Sequence, residues 1–480
     1  MKRLLSLSLA LLLIISLVGC GKSKRRQPVQ LTLSTEDSEA ILAAAGIKLP
    51  DAETAAGANS VVKYFGWGDP FQNYSDDEIV NTGYWTFQEK YSSRIEFVET
   101  TYFNQSDDLA QLILASTPPD TMTGGWSFPM GAVKGVIQPV DQWIDLDDPL
   151  WAQMKPLADK FSINGRHYQI CIQTAPSNVV VYNRRVIDEW GFDDPATLYY
   201  NDEWTWKKFY DMCLDFSDAD DDRFALDGYA YEGMFVESSG QQYLMSDENG
   251  RYYSNLDAPQ IERGQNYLYD LIKNDCSYSR GGWSLRGDFG AGMKEGLCLF
   301  YVIGESFFTA PVEEVNNLWG DIAAGEVMFA PLPRDENGDG IYYMPSSFID
   351  IKGSLVIIKD APNPEGAALL ATCLRFKAID PTVIAIDEQQ LRDVYLWNDD
   401  MIEMSKECKR LADENFLMGS ANNIPANLQN VCDNLGRSIV RGGSSPSTWA
   451  QLRENNREAF EYAIEELNAQ IEEFAESLDG

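Results

Sequence analysis

From residue 61 the sequence alternates between two periodicities. Val61-Val62-Lys63-Tyr64-Phe65 is a β-branched and aromatic run closed by Gly66-Trp67-Gly68-Asp69-Pro70, which reads as a strand and its turn. A helical stretch follows around Ile79 to Tyr91, then a second strand at Arg94 to Thr100. Helix is expected again over Asp107 to Ala115, where Leu109, Leu112 and Ile113 share a face. Strand, helix, strand, helix at this spacing predicts parallel pairing and an α/β layer sandwich. No repeat of 20 to 50 residues competes with that reading.

One such sandwich does not use up the chain. At 480 residues it exceeds what a single hydrophobic core serves, so two lobes or more are expected. The balance of 38 Lys and Arg against 74 Asp and Glu gives a net charge of −36. A nucleic-acid partner is excluded on that ground, because such binders replace condensed counterions with basic side chains, and the only dense basic run is Lys22 to Arg26.

The N-terminus reads as an address. Lys2 and Arg3 precede an apolar run from Leu4 to Val18, too short to span a bilayer, which needs about twenty apolar residues. The run ends in Leu17-Val18-Gly19-Cys20, which resembles the bacterial lipobox, where a peptidase cuts before a cysteine that carries diacylglycerol. The resemblance implies a signal peptide over 1–19, a lipid anchor at Cys20, and attachment to the outer face of the membrane by several acyl chains. Residues 20–60, rich in small and polar side chains, are expected to form a flexible tether. Seven further cysteines lie at 171, 213, 276, 298, 373, 408 and 432 without any Cys-x-x-Cys pair, so they read as core thiols, with one disulfide such as Cys408 to Cys432 left open.

Further on, motifs accumulate in a fixed order. Pro119-Asp120-Thr121 is followed by Gly124-Gly125-Trp126 and by Gly135-Val136-Ile137-Gln138-Pro139-Val140-Asp141. Then come Asn164-Gly165-Arg166-His167-Tyr168, the run Val179 to Asn183, Trp204-Thr205-Trp206 with Thr205 as a helix N-cap, and Gly296 to Gly304. Gly325 to Pro333, Ser354 to Phe376 and Ser445-Pro446-Ser447-Thr448-Trp449 complete the series. Together these resemble the extracellular solute-binding proteins of carbohydrate-uptake ABC transporters, the maltose-binding-protein-like group, over roughly residues 61 to 475.

The resemblance implies an α/β, two-lobed periplasmic-binding-protein-like fold of type II, with hinge strands and a ligand cleft between the lobes. Crossings would fall near Thr174 to Val179, around Gly320 to Gly325, and after Phe376. Lobe one would comprise 61–176 plus 326–376, and lobe two 177–325 plus 377–480. The implied function is capture of a sugar, an oligosaccharide by the length of the chain, for delivery to a permease and its ATPase by a monomer needing no cofactor. Sugar recognition asks for aromatic faces and satisfied polar groups on strand-end loops. The candidates are Trp67, Asp69, Trp126, Tyr168, Glu237, Trp283 and Glu305; Ser306 stands where relatives place a cleft aromatic. Trp206, Tyr182 and Trp449 sit inside periodic elements and are expected in the core.

Competing chemistries find less support. Asp335, Asn337 and Asp339 match the first half of a calcium loop, but position twelve is Ser346 instead of a bidentate Glu. The single imidazole, His167, has no nucleophile motif near it, and no catalytic residue is assigned. Paired carboxylates of a secreted glycosidase could still meet in space, and a sensory or adhesive sugar-binding lipoprotein would use the same fold.

Overall fold

The computed structural model describes residues 35–71, 82–125, 127–228, 230–247, 250–277, 291–346, 353–418, 424–441 and 445–478. They divide between two hydrophobic cores, each built on its own sheet.

In the first lobe the strands Val61–Gly66, Arg94–Glu99 and Thr121–Thr123 pair in parallel, with Gly66 opposite Glu99 and Phe65 opposite Met122. The antiparallel strand Ser354–Ile358 returns beside Thr121–Thr123 and also pairs with Ile137–Gln138 and Ile170–Cys171. The Pro-Asp motif gains a structural reason here. Buried Asp120 accepts the Lys63 amide at 2.7 Å through one oxygen and the Asn363 amide at 2.6 Å through the other. Asn363 caps the helix Pro364–Ala378 by accepting from the Gly366 amide, and its own side-chain amide donates to the Val61 carbonyl. Gly57 lies against the start of that helix with φ +80°, where an added Cβ would fall 2.5 Å from the Gly366 nitrogen, so only glycine fits.

In the second lobe the order is Val327–Ala330, Val179–Asn183, Cys298–Ile303, Phe224–Gly228, with Val179–Asn183 antiparallel to both neighbours. All six side chains of Cys298–Ile303 are buried, as befits a strand covered on both faces. Thr205 caps Trp206–Phe216 by accepting from the Lys208 amide at 3.2 Å. Trp206, Tyr182 and Trp449 are fully buried.

Several boundaries differ from expectation. The segment taken as tether is ordered from Thr35: a helix spans Thr35–Ala44, Leu42 joins the first core, Ser38 hydrogen-bonds Asp380, and the Tyr91 hydroxyl donates to the Pro50 carbonyl at 2.8 Å. Low apolar periodicity hid this segment because it docks through single side chains. Gly320 to Gly325 is no crossing, since Trp319 and Ile322 lie in the second core. The following strand Val327–Ala330 also belongs to the second sheet, and Arg334 donates its amide to Trp204, so the chain re-enters lobe one only between Ser346 and Gly353. The last helix, Trp449–Ser477, serves both lobes. Trp449 to Leu467 pack in the second core and Phe474 against the first, and Asn468 bonds both the amide and the carbonyl of Tyr252. All seven cysteines after Cys20 are free and buried, Cys408 and Cys432 included. No helix among the described residues is long and apolar enough to cross a membrane.

Candidate functional site

Strand directions fix where the two sheets meet. The strand Ile170–Cys171 ends level with the ends of Thr121–Thr123, Val61–Gly66 and Arg94–Glu99, and residues 172–178 lead from it to the start of Val179–Asn183. Ile303 pairs with Val179, and Gly228 lies opposite Val302, so the carboxyl ends of the second lobe's parallel strands sit at the same end of the hinge. Ligands of open α/β sheets bind at such edges.

Aromatic rings line the first edge. Trp67, on the Gly-flanked turn after Val61–Gly66, is 49 % exposed and meets Tyr102 edge-to-face at 5.8 Å. Tyr102 follows the second strand, is 53 % exposed, and meets Phe103 at 5.3 Å. Exposed aromatics held by one another keep their faces in water without collapsing into the core. Asp69 shapes the loop by accepting the Phe71 amide at 2.9 Å, and Phe71 anchors it against Tyr64 at 5.3 Å.

Carboxyls line the second edge. Glu237, on the short helix Met234–Ser238, accepts from the Asn178 side-chain amide at 3.2 Å. Glu305, the first residue after Gly304, accepts from the Ser405 hydroxyl at 3.0 Å, and its other oxygen is buried without a partner. Burial pushes both carboxyls up to about 7, with Asn178 opposing at Glu237 and Ser405 and Lys409 opposing at Glu305.

The hinge is clamped from both lobes. Arg375, 3 % exposed on Pro364–Ala378, donates to the carbonyls of Leu150 at 3.0 Å and Ile172 at 2.9 Å and to Gln153 at 3.1 Å. Burial lowers its guanidinium to about 10, with Asp413 opposing. From the other side, Lys409 reaches the Thr174 carbonyl at 3.3 Å, Asp413 accepts the Thr174 hydroxyl, and Ser177 donates to the Pro345 carbonyl.

Other expected site residues fall elsewhere. Tyr168 is a correction: it is 1 % exposed in the first core, between Phe128 at 6.3 Å and Phe474 at 6.2 Å, because the last helix covers its hairpin. The calcium reading fails at Asp335, which is buried in an ion pair with Arg263, while Asp339 accepts from the Tyr343 hydroxyl at 2.6 Å. Among the described residues no group of three or more His, Cys, Asp or Glu could hold a metal ion. His167 bridges Asp141 at 2.7 Å and Asp159 at 3.0 Å and ties down its hairpin. Cys20, Trp126 and Trp283 lie outside the described residues. Tyr102, Asn178 and Lys409 were not foreseen. The aromatic-after-a-strand rule that picks out Trp67 also finds Tyr102, whereas the other two require the fold.

The comparison with curated proteins returns no match. Among solved structures, a solute-binding protein of Thermotoga lettingae bound with alpha-D-tagatose is 18 % identical over 86 % of this chain and 99 % of that one, with a TM-score of 0.53. The cyclic alpha-maltosyl-1,6-maltose binding protein of Arthrobacter globiformis is 15 % identical over 86 % and 98 %, with a TM-score of 0.60. The galacto-N-biose/lacto-N-biose I-binding protein of Bifidobacterium longum is 13 % identical over 87 % and 98 %, with a TM-score of 0.57. These likenesses share the two-lobed fold found here, and a family model described as bacterial extracellular solute-binding protein matches residues 78–378. The chain therefore belongs to the bacterial extracellular solute-binding protein family.

Proposed function

We propose that this protein captures a sugar outside the cytoplasm and passes it unaltered to the permease of an ABC importer. The reading is supported by the carboxyl ends of both sheets lying toward the hinge, with Trp67 and Tyr102 on loops at the end of one sheet and Asn178, Glu237 and Glu305 at the end of the other. Aromatic faces suit the C–H side of a pyranose and the polar edge suits its hydroxyls. Of the three similar structures named above, one is bound with alpha-D-tagatose, one is in complex with lacto-N-biose, and the third is named as a cyclic alpha-maltosyl-1,6-maltose binding protein.

A ligand shifts an open/closed equilibrium only by its differential affinity for the two forms, so contacts must come from both edges. Trp126 and Trp283 are proposed as further cleft residues. Cys20 is proposed as a lipidated anchor that holds a monomer to the outer face of the membrane, near the permease and its ATPase.

The test is a thermal-shift screen over mono- and oligosaccharides, followed by calorimetry. A specific ligand at about 100 times its Kd stabilises the folded form by about 2.7 kcal/mol. Saturable binding with no release of reducing ends supports capture. Cleaved oligosaccharides would replace it with a glycosidase, and silence across the screen would remove sugars as the substrate.

A further inference from the structure

The helix Trp449–Ser477 is shared unequally between the lobes. Trp449 to Leu467 pack in the second core, and Asn468 fixes the helix there by accepting the Tyr252 amide at 2.9 Å and donating to the Tyr252 carbonyl at 2.8 Å. Beyond that pin the last turns reach lobe one. Ile471 packs on both cores, and Phe474 and Ala475 lie against the first, the Phe474 ring 6.2 Å from that of Tyr168. Arg166 donates to the Leu478 carbonyl at 2.8 Å. Lobe one touches the same helix at a second place: Met130, on the short helix Met130–Val133, is buried in the second core, and that short helix packs on the long one.

A helix of 29 residues is about 43 Å long, and this one contains neither proline nor glycine at which to kink. It therefore moves with lobe two, and a change of angle between the lobes is taken up at these two contacts. Met130 is fully buried, whereas the Phe474 contact suits a joint that parts. Phe474 is only partly buried and the Arg166 bond is exposed. Among the described residues the Tyr168 hydroxyl is buried without a partner, a cost that water relieves on separation.

We infer that the end of the last helix is a latch that holds the two lobes at the angle described here, and that closing the cleft requires the contact between Phe474 and Tyr168 to part. Trp67 and Tyr102 stand about half in water at this angle, so the latched arrangement is the open one. A closed form that must first break the latch is less populated, so the latch sets how tightly any ligand is held without touching it. The inference concerns the hinge alone and does not depend on which ligand the cleft takes.

The experiment measures the distance between the two strand-end edges in the ligand-free protein by double electron–electron resonance. Spin labels are placed through Phe103→Cys and Ser306→Cys, exposed positions on opposite lobes, in the full mature chain carrying Cys20→Ser, whose other seven thiols are buried. This protein should give one main distance. Phe474→Ala, which keeps the helix because alanine is its best former, should add a shorter one. Loss of one aromatic contact predicts about a 5-fold rise in the ratio of the shorter to the longer population. Arg166→Ala removes only the exposed bond to Leu478; it should move the ratio in the same direction and decides the matter if Phe474→Ala fails to fold. A distribution that stays unchanged, or that shifts to longer distances, would overturn the latch. No saccharide is used, so that result leaves sugar capture standing, and silence in the saccharide screen leaves the latch standing.

Discussion

Glu305 offers a sharp test of the electrostatics, through the substitution Glu305→Gln. One carboxylate oxygen accepts from Ser405 and the other is buried without a partner, and burial raises the group from an ordinary 4.5 to about 7. The folded value lies above the unfolded one, so between them the folded chain binds more protons. This position therefore costs little below pH 4.5, and the cost grows as the pH rises to 7. A displacement of about 2.5 pH units at about 1.4 kcal/mol each amounts to roughly 3 kcal/mol at pH 8. Glutamine keeps the Ser405 bond and removes the charge, but its amide brings donors that find no acceptor, costing about 1 kcal/mol at any pH. The variant should thus be slightly less stable than the parent at pH 4.5 and about 2 kcal/mol more stable at pH 8. Urea unfolding of both proteins at the two pH values, followed by tryptophan fluorescence, gives the difference directly, and every other titrating group cancels between them. A stability difference that does not change with pH would refute the reasoning.

Three further outcomes are expected. Trp67→Ala and Tyr102→Ala should each weaken saccharide binding by about 1 kcal/mol in calorimetry while leaving the unfolding midpoint in place, since both rings are about half exposed; unchanged affinity would remove the rings from the site. Arg375→Met strips donors from the buried carbonyls of Leu150 and Ile172 and should lower stability by about 3 kcal/mol in urea unfolding, so a parental midpoint would show that the clamp contributes nothing. Cys20→Ser should abolish fatty-acid labelling of the cell-expressed protein, and labelling that persists would discard the anchor.

Much of the first sheet could be read from local pattern. Val61 to Phe65 and Arg94 to Glu99 carry their strand signal in consecutive side chains, and the helix between them is too long to allow an antiparallel turn, so their parallel pairing follows. Thr205 was legible as a cap for the same reason, since a cap is a relation among four neighbouring residues. Val327 to Ala330 shows where such reading stops. Its apolar run announces a strand, but which sheet it joins depends on a partner well over a hundred residues away, and pairing with Val179–Asn183 moved the lobe boundary past residue 330.

The site divides along the same line. An aromatic on a glycine-flanked turn after a strand, as at Trp67, is a local fact, and the structure places it at the carboxyl end of the first sheet. Tyr168 looked equally eligible until the helix Trp449–Ser477 came back across the molecule and set Phe474 against it. By itself the sequence determined strands, caps, the overall charge and the family. Only the tertiary structure decided which acids lost their water, because solvation depends on everything packed around a group, and that is what separates Glu237 and Glu305 from the many carboxylates that merely face solvent.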